Sequence, residues 1–109
     1  MTYTDVIALA AWPGVEQGIS YGTPALRVRG KLLVRLREDG ETLVVLGVGP
    51  DERDMLVAAA PDIFFFTAHY RNSAAVLVRL ATITPERLAA LLRRRWQQLA
   101  PKRLQVSVP

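Results

Sequence analysis

The sequence predicts a two-layer α+β domain, an antiparallel sheet with its helices on one face, in the order α-β(3–4)-α-β(2)-α. Three observations carry this expectation. Tight-turn signals at Arg29-Gly30-Lys31 and Asp39-Gly40 separate apolar runs of period two, which makes the first strands antiparallel. Segments with helical apolar spacing stand before, between and after the strand runs. Finally, 109 residues of which 50% are hydrophobic and 22% charged suit one packed core, so residues 1–109 read as a single domain without linker or repeat.

Thr2 and Asp5 form a capping pair for a first helix over about 3–12, with Val6, Ile7, Leu9 and Ala10 at helical spacing and Pro13-Gly14 as its stop. Residues 16–21 alternate and run into Gly22-Thr23-Pro24, a strand entering a turn. In the stretch GTPALRVRGKLLVRLREDG, Leu26, Val28, Leu32, Val34 and Leu36 share one face if Arg29-Gly30-Lys31 forms a three-residue loop. Arg27, Leu33, Arg35 and Arg37 then take the other face. Asp39-Gly40 turns the next hairpin, pairing Leu36 with Leu43 and Val34 with Val45, and the returning strand over 42–48 is apolar on both sides. A strip of Leu33, Val44, Leu46 and Val48 edged by arginines therefore faces away from the helices, a pattern suited to a contact surface.

Pro50 with Asp51, Glu52 and Asp54 opens a second helix, which runs to about Ala60 before Pro61. The runs DIFFFT and AAVLVRLAT supply two more strands. Thr84 caps the longest helix, Pro85 starts it, and Leu88, Leu91, Leu92, Trp96 and Leu99 line its inner stripe as far as Pro101. The tail KRLQVSVP carries no assignment.

The residue inventory restricts the chemistry. Without cysteine there is no disulfide, thiolate nucleophile or sulfur-ligated metal. His69 is the only histidine, so one chain cannot build a two-histidine metal site, and no carboxylates stand at metal-ligand spacing. Gly47-Val48-Gly49-Pro50 lacks the lysine of a phosphate loop, and helix capping accounts for it. We therefore expect a protein that is not an enzyme and uses neither cofactor nor metal. The N-terminus has no basic leader, and no apolar run approaches the roughly 18 residues of a membrane span, so a cytoplasmic location is expected.

Charge is unevenly distributed. The net charge is +4 with pI near 10.1. Residues 27–37 hold five cations and no acid, 38–70 hold seven acids against Arg53, and the chain from Arg71 holds eight cations against Glu86. Such a field steers anions to one side. DNA is accordingly the first expected partner, met through phosphate contacts from Arg27, Arg29, Lys31, Arg35 and Arg37 together with Arg94, Lys102 and Arg103; no base-reading element is legible. A second reading is a protein partner or homodimer docked on Leu33, Val44 and Leu46. The third is a small-molecule pocket near Tyr21, His69 and Tyr70.

The blocks WPGV, SYGTPALRVRGKLLVRLREDGETLV, DERDMLVAAAPDIFFFTAHYR, VLVRLA and LLRRRWQQLAPKRL resemble, in content and order, the MmcQ/YjbR family of small bacterial proteins over nearly the whole chain. The resemblance implies a two-layer α+β fold related in shape to type III secretion chaperones, and an association with DNA binding. It implies no catalytic residue, cofactor or target sequence. The family's recurring positions fall on Pro13, Gly14, Tyr21, Gly22, Pro24, Gly30, Lys31, Tyr70, Trp96 and Lys102, most of them turn or packing positions. Asn72-Ser73-Ala74 departs from the glycine and proline that relatives often carry after HYR.

Overall fold

A computed structural model describes residues 1–106. Six strands form one sheet in the order β1-β2-β3-β4-β6-β5, and every neighbouring pair is antiparallel. Helix α1 (Tyr3–Leu9) begins with the expected capping box: the Asp5 N–H donates to Thr2 Oγ1 at 3.3 Å and the Thr2 N–H to Asp5 Oδ2 at 2.8 Å. It stops short of residue 12, because Pro13 disfavours helical geometry at Trp12 and the tryptophan ring lies against Trp96 at 5.9 Å between centroids.

Strands β1 (Val15–Ser20), β2 (Thr23–Val28) and β3 (Lys31–Leu36) are joined by two-residue turns, Tyr21-Gly22 and Arg29-Gly30, whose φ angles are all positive. Both are primed turns, which match the twist of the strands they join. The expected three-residue loop at 29–31 is thus corrected to two residues, and the lost residue of parity reappears inside the strand. Leu26 pairs with Val34 but Arg27 pairs with Leu32, so Leu33 bulges and shares the helix-facing core with Val34. Leu33, 0% exposed, is therefore no partner surface, and Leu32 takes the open face instead.

Beyond the Asp39-Gly40 turn, β4 (Thr42–Leu46) pairs as read from the sequence, Val34 with Val45 and Leu36 with Leu43. Asp39 holds this turn: its carboxylate accepts from the Glu41 and Thr42 N–H groups and from the Thr42 hydroxyl, bonds that keep the carboxyl below its ordinary range. The strand ends at Leu46 rather than residue 48, where the Gly47 and Val48 N–H groups donate to the Ala74 carbonyl.

Helix α2 (Pro50–Ala59), β5 (Phe64–Phe65), a single 3-10 turn (Ala68–Tyr70) and β6 (Ala75–Arg79) precede α3 (Pro85–Leu99) and the short α4 (Lys102–Gln105). Leu88, Leu92 and Trp96 of α3 bury against Leu26, Val28, Val34, Leu43, Val45 and Val78, and residues of α1 and α2 complete that cluster. All the larger helices thus lie on one face, as the hairpin and stripe pattern predicts. The opposite face carries a smaller cluster, Val44, Ala75 and Leu77 with Leu46, Phe65 and Tyr70 packed on it. The loop around the 3-10 turn, rather than a helix, partly covers it.

A candidate binding cleft on the open sheet face

Between that loop and the β1–β2 turn lies a cleft of about 470 Å³. Its floor is the open face of β3 and β4, with Leu32, Arg35, Val44 and Leu46; one side is Tyr21, the other His69, Tyr70 and Ser73, with Glu38 also in the lining. The three residues expected at a small-molecule pocket, Tyr21, His69 and Tyr70, are brought together here although 48 positions separate Tyr21 from His69 in the chain.

Arg35 is the hub. Alternation puts it on the open face opposite Ala25, and the apolar neighbours of β4 and β6 leave it only 7% exposed. Its Nη1 donates to Thr23 Oγ1 at 3.2 Å, to the Leu36 carbonyl at 3.3 Å and to Glu38 Oε1 at 3.3 Å, while Nη2 donates to the Tyr70 hydroxyl at 2.9 Å. The Tyr21 ring stands 5.3 Å from the guanidinium carbon, within cation–π range. Glu38, an exposed carboxylate, is held below its ordinary range chiefly by a backbone hydrogen bond, with Arg35 adding to the effect.

A second buried cation builds the wall. Arg53 of α2 is 4% exposed and donates to the carbonyls of Tyr70, Arg71 and Ser73 at 3.2, 3.0 and 3.5 Å, with its guanidinium carbon 4.2 Å from the Phe66 ring centroid. Tyr70 is therefore tied twice, by its hydroxyl to the sheet and by its carbonyl to α2. His69, exposed, meets the Tyr70 ring edge-on at 4.9 Å. Leu32, Glu38, Ser73 and Arg53 were not singled out from the sequence. Arg53 carried a signal all the same, as the single cation in the acidic 38–70 segment, set one turn into a helix.

The cations expected to grip a polyanion separate into two groups. Arg35 belongs to the interior. Arg94 forms a two-pronged pair with Glu52 at 2.6 and 2.7 Å, and that bond raises its pKa above the ordinary value. Its neighbour Arg95, outside that expected set, donates to the Leu32 carbonyl beside the bulge. Arg37 is partly buried. Arg27 shares the open face with Arg35 but donates to the carbonyls of Gly30 and Ile19. Arg29, Lys31, Lys102 and Arg103 are exposed, and none of them has an ion pair among the described residues. They lie toward one end of the molecule, since Leu104 of α4 packs beside Gly14 and Gly14 adjoins Val28, the last residue before the Arg29-Gly30 turn. Arg27 and Arg35 thus share the open face as alternation predicts, but their guanidinium groups are already held by acceptors within the molecule, and the exposed cations lie toward one end.

Among the described residues no three His, Asp or Glu side chains come together in a way that could hold a metal ion, and no helix is long and apolar enough to cross a membrane.

Comparison with known proteins places this geometry in a lineage. No curated protein matches the sequence. The crystal structure of Deinococcus radiodurans protein DR2400, a DUF419 domain, superposes with a TM-score of 0.76 over 97% of this chain and 86% of that one, at 19% identity, a likeness of fold. The model of the YjbR family matches residues 10–98, a span that includes all six strands, every residue lining the cleft and most of α3. The chain belongs to the YjbR family.

Proposed function

We propose that this YjbR domain is a non-catalytic binding domain whose ligand occupies the open-face cleft. The observation that carries the reading is Arg35, a guanidinium held 7% exposed in the cleft's lining. Burying a charge is costly unless it is well partnered, and positions that keep one are frequently functional. The cleft's volume of about 470 Å³ is that of a small-molecule site, apolar in its floor with a few convergent polar groups. A fragment library screened against ¹⁵N-labelled protein tests the reading. Hits are expected to shift the amides of Tyr21, Val44, Leu46 and Ser73 together, and to be lost in Leu46→Arg; hits scattered over the surface would refute it.

A second reading, contact with DNA, is favoured by the basic end at Arg29, Lys31, Lys102 and Arg103. The surface is smaller than the sheet face first envisaged, but its cations are free to meet phosphates. Four phosphate contacts imply a slope of about −3 to −4 for log affinity against log salt on duplex DNA. Reversing the four charges is expected to abolish the slope, and a slope surviving that change would exclude this end. With Leu33 in the core, the apolar strip proposed for a protein partner reduces to Val44 and Leu46, both within the cleft.

A further inference from the structure

We propose that the cleft takes a small carboxylic acid with an apolar body, its carboxylate received by Arg35; the proposal rests on the cleft being a ligand site. The argument is a count of donors. A guanidinium has five N–H groups. At Arg35 the two on Nη1 are shared among Thr23, Leu36 and Glu38, and one on Nη2 goes to the Tyr70 hydroxyl. The Nε hydrogen and the second Nη2 hydrogen have no acceptor among the described residues, and Nε is not among the fully buried unpartnered atoms, so although the side chain is more than nine-tenths covered this edge of the guanidinium is still reached by solvent. A carboxylate is the acceptor whose two oxygens match paired guanidinium donors. The Tyr70 hydroxyl accepts from Arg35 and keeps its own hydrogen, so a third donor stands 2.9 Å from Nη2.

The surroundings select within the anions. Glu38 lies 3.3 Å from Nη1 and offsets part of the positive charge, which disfavours a dianion such as phosphate and leaves a monoanion acceptable. Leu32, Val44 and Leu46 offer the ligand's body an apolar bed. Tyr21 supplies the cover. Its ring is 85% exposed beside Arg35, and its φ of +53° occupies the turn position that Asn, Asp or Gly ordinarily fills. A large aromatic kept at a strained position is what ligand clamps show.

The test is a titration of ¹⁵N-labelled protein at neutral pH with phenylacetate, and in parallel with phenylacetamide, which keeps the ring and removes the charge. Phenylacetate is expected to shift the Tyr21, Val44, Leu46 and Ser73 amides saturably and to bind about tenfold more tightly than the amide. Tyr70→Phe, which keeps the ring packing, is expected to weaken phenylacetate several-fold while resonances outside the cleft stay in place. Arg35→Gln, which removes the charge, is expected to erase the preference for the acid; because Arg35 also ties Thr23 to Tyr70, the Tyr70→Phe result stands where this variant does not fold. Equal binding of acid and amide in the cleft would overturn the carboxylate assignment and leave the cleft reading intact. No cleft shift with either compound, alongside fragment hits that do cluster there, would likewise overturn it; no cleft hit of any kind removes both readings. Tighter binding of acetyl-Gly-Gly-Leu than of phenylacetate would overturn the free acid in favour of a peptide terminus bearing the same group.

Discussion

Trp96→Ala is expected to lower the unfolding free energy by about 3–5 kcal/mol, a large part of the roughly 5–15 kcal/mol available to a domain of this size. Trp96 is among the largest fully buried side chains, 1% exposed, and lies on the inner stripe of α3 where the helix crosses the sheet. Its indole N–H donates to the Pro13 carbonyl at 2.9 Å and its ring lies against Trp12, so one side chain fixes both α3 and the corner between α1 and β1. Trp96→Phe keeps much of the volume and removes the donor, and the expected loss is about 1–2 kcal/mol. Urea denaturation of the two variants separates the terms. A loss below 1 kcal/mol for the alanine variant would mean that α3 is anchored elsewhere.

This anchor was legible in the sequence because helix stripes obey a period that nothing nearby disturbs. The same holds for the Thr2–Asp5 cap and the Asp39-Gly40 hairpin, where a local hydrogen-bond pattern decides the geometry. Leu33 shows where such reasoning stops. Period-two alternation assigns faces correctly only while each residue has one partner, and a bulge changes parity without any change of composition. The turn offered a clue. Arg29-Gly30 has glycine in the second place of a two-residue primed turn, as Tyr21-Gly22 does, and a two-residue turn in place of three requires one extra residue in a strand if Leu26, Val28, Val34 and Leu36 are all to reach the core.

The site was legible by residue type rather than by arrangement. Tyr21, His69 and Tyr70 were grouped from the sequence and do line one cleft. Arg35 was read as a surface cation, since strand alternation gives a side but no depth. Its depth comes from Tyr70 and the Tyr21 turn, elements 35 residues downstream and 14 upstream of it. The arginine-rich appearance of the chain thus overstates its free positive surface. Arg35, Arg53, Arg94 and Arg95 hold the molecule together, and of the cations expected to meet phosphate the four exposed ones, Arg29, Lys31, Lys102 and Arg103, lie toward one end.

Arg53→Met should therefore damage the cleft without touching it. The substitution keeps an unbranched side chain in the space beside Phe66 and removes the donors that hold the Tyr70, Arg71 and Ser73 carbonyls. Asp54 offers no substitute explanation for the arginine, because its carboxylate stands 3.6 Å from Nε, too long for a hydrogen bond, and is itself well exposed. Three carbonyls losing a charged donor are expected to cost about 2–4 kcal/mol. The effect should also be local: amide exchange at Tyr70 and Ser73, which donate to the Thr67 and Tyr70 carbonyls, should accelerate more than exchange in β3 or α3. Asp54→Asn is expected to leave both measurements nearly unchanged. Since Tyr70 is the cleft wall that Arg53 positions, fragments should bind Arg53→Met more weakly even where the protein remains folded, and undiminished binding would show that the wall holds itself.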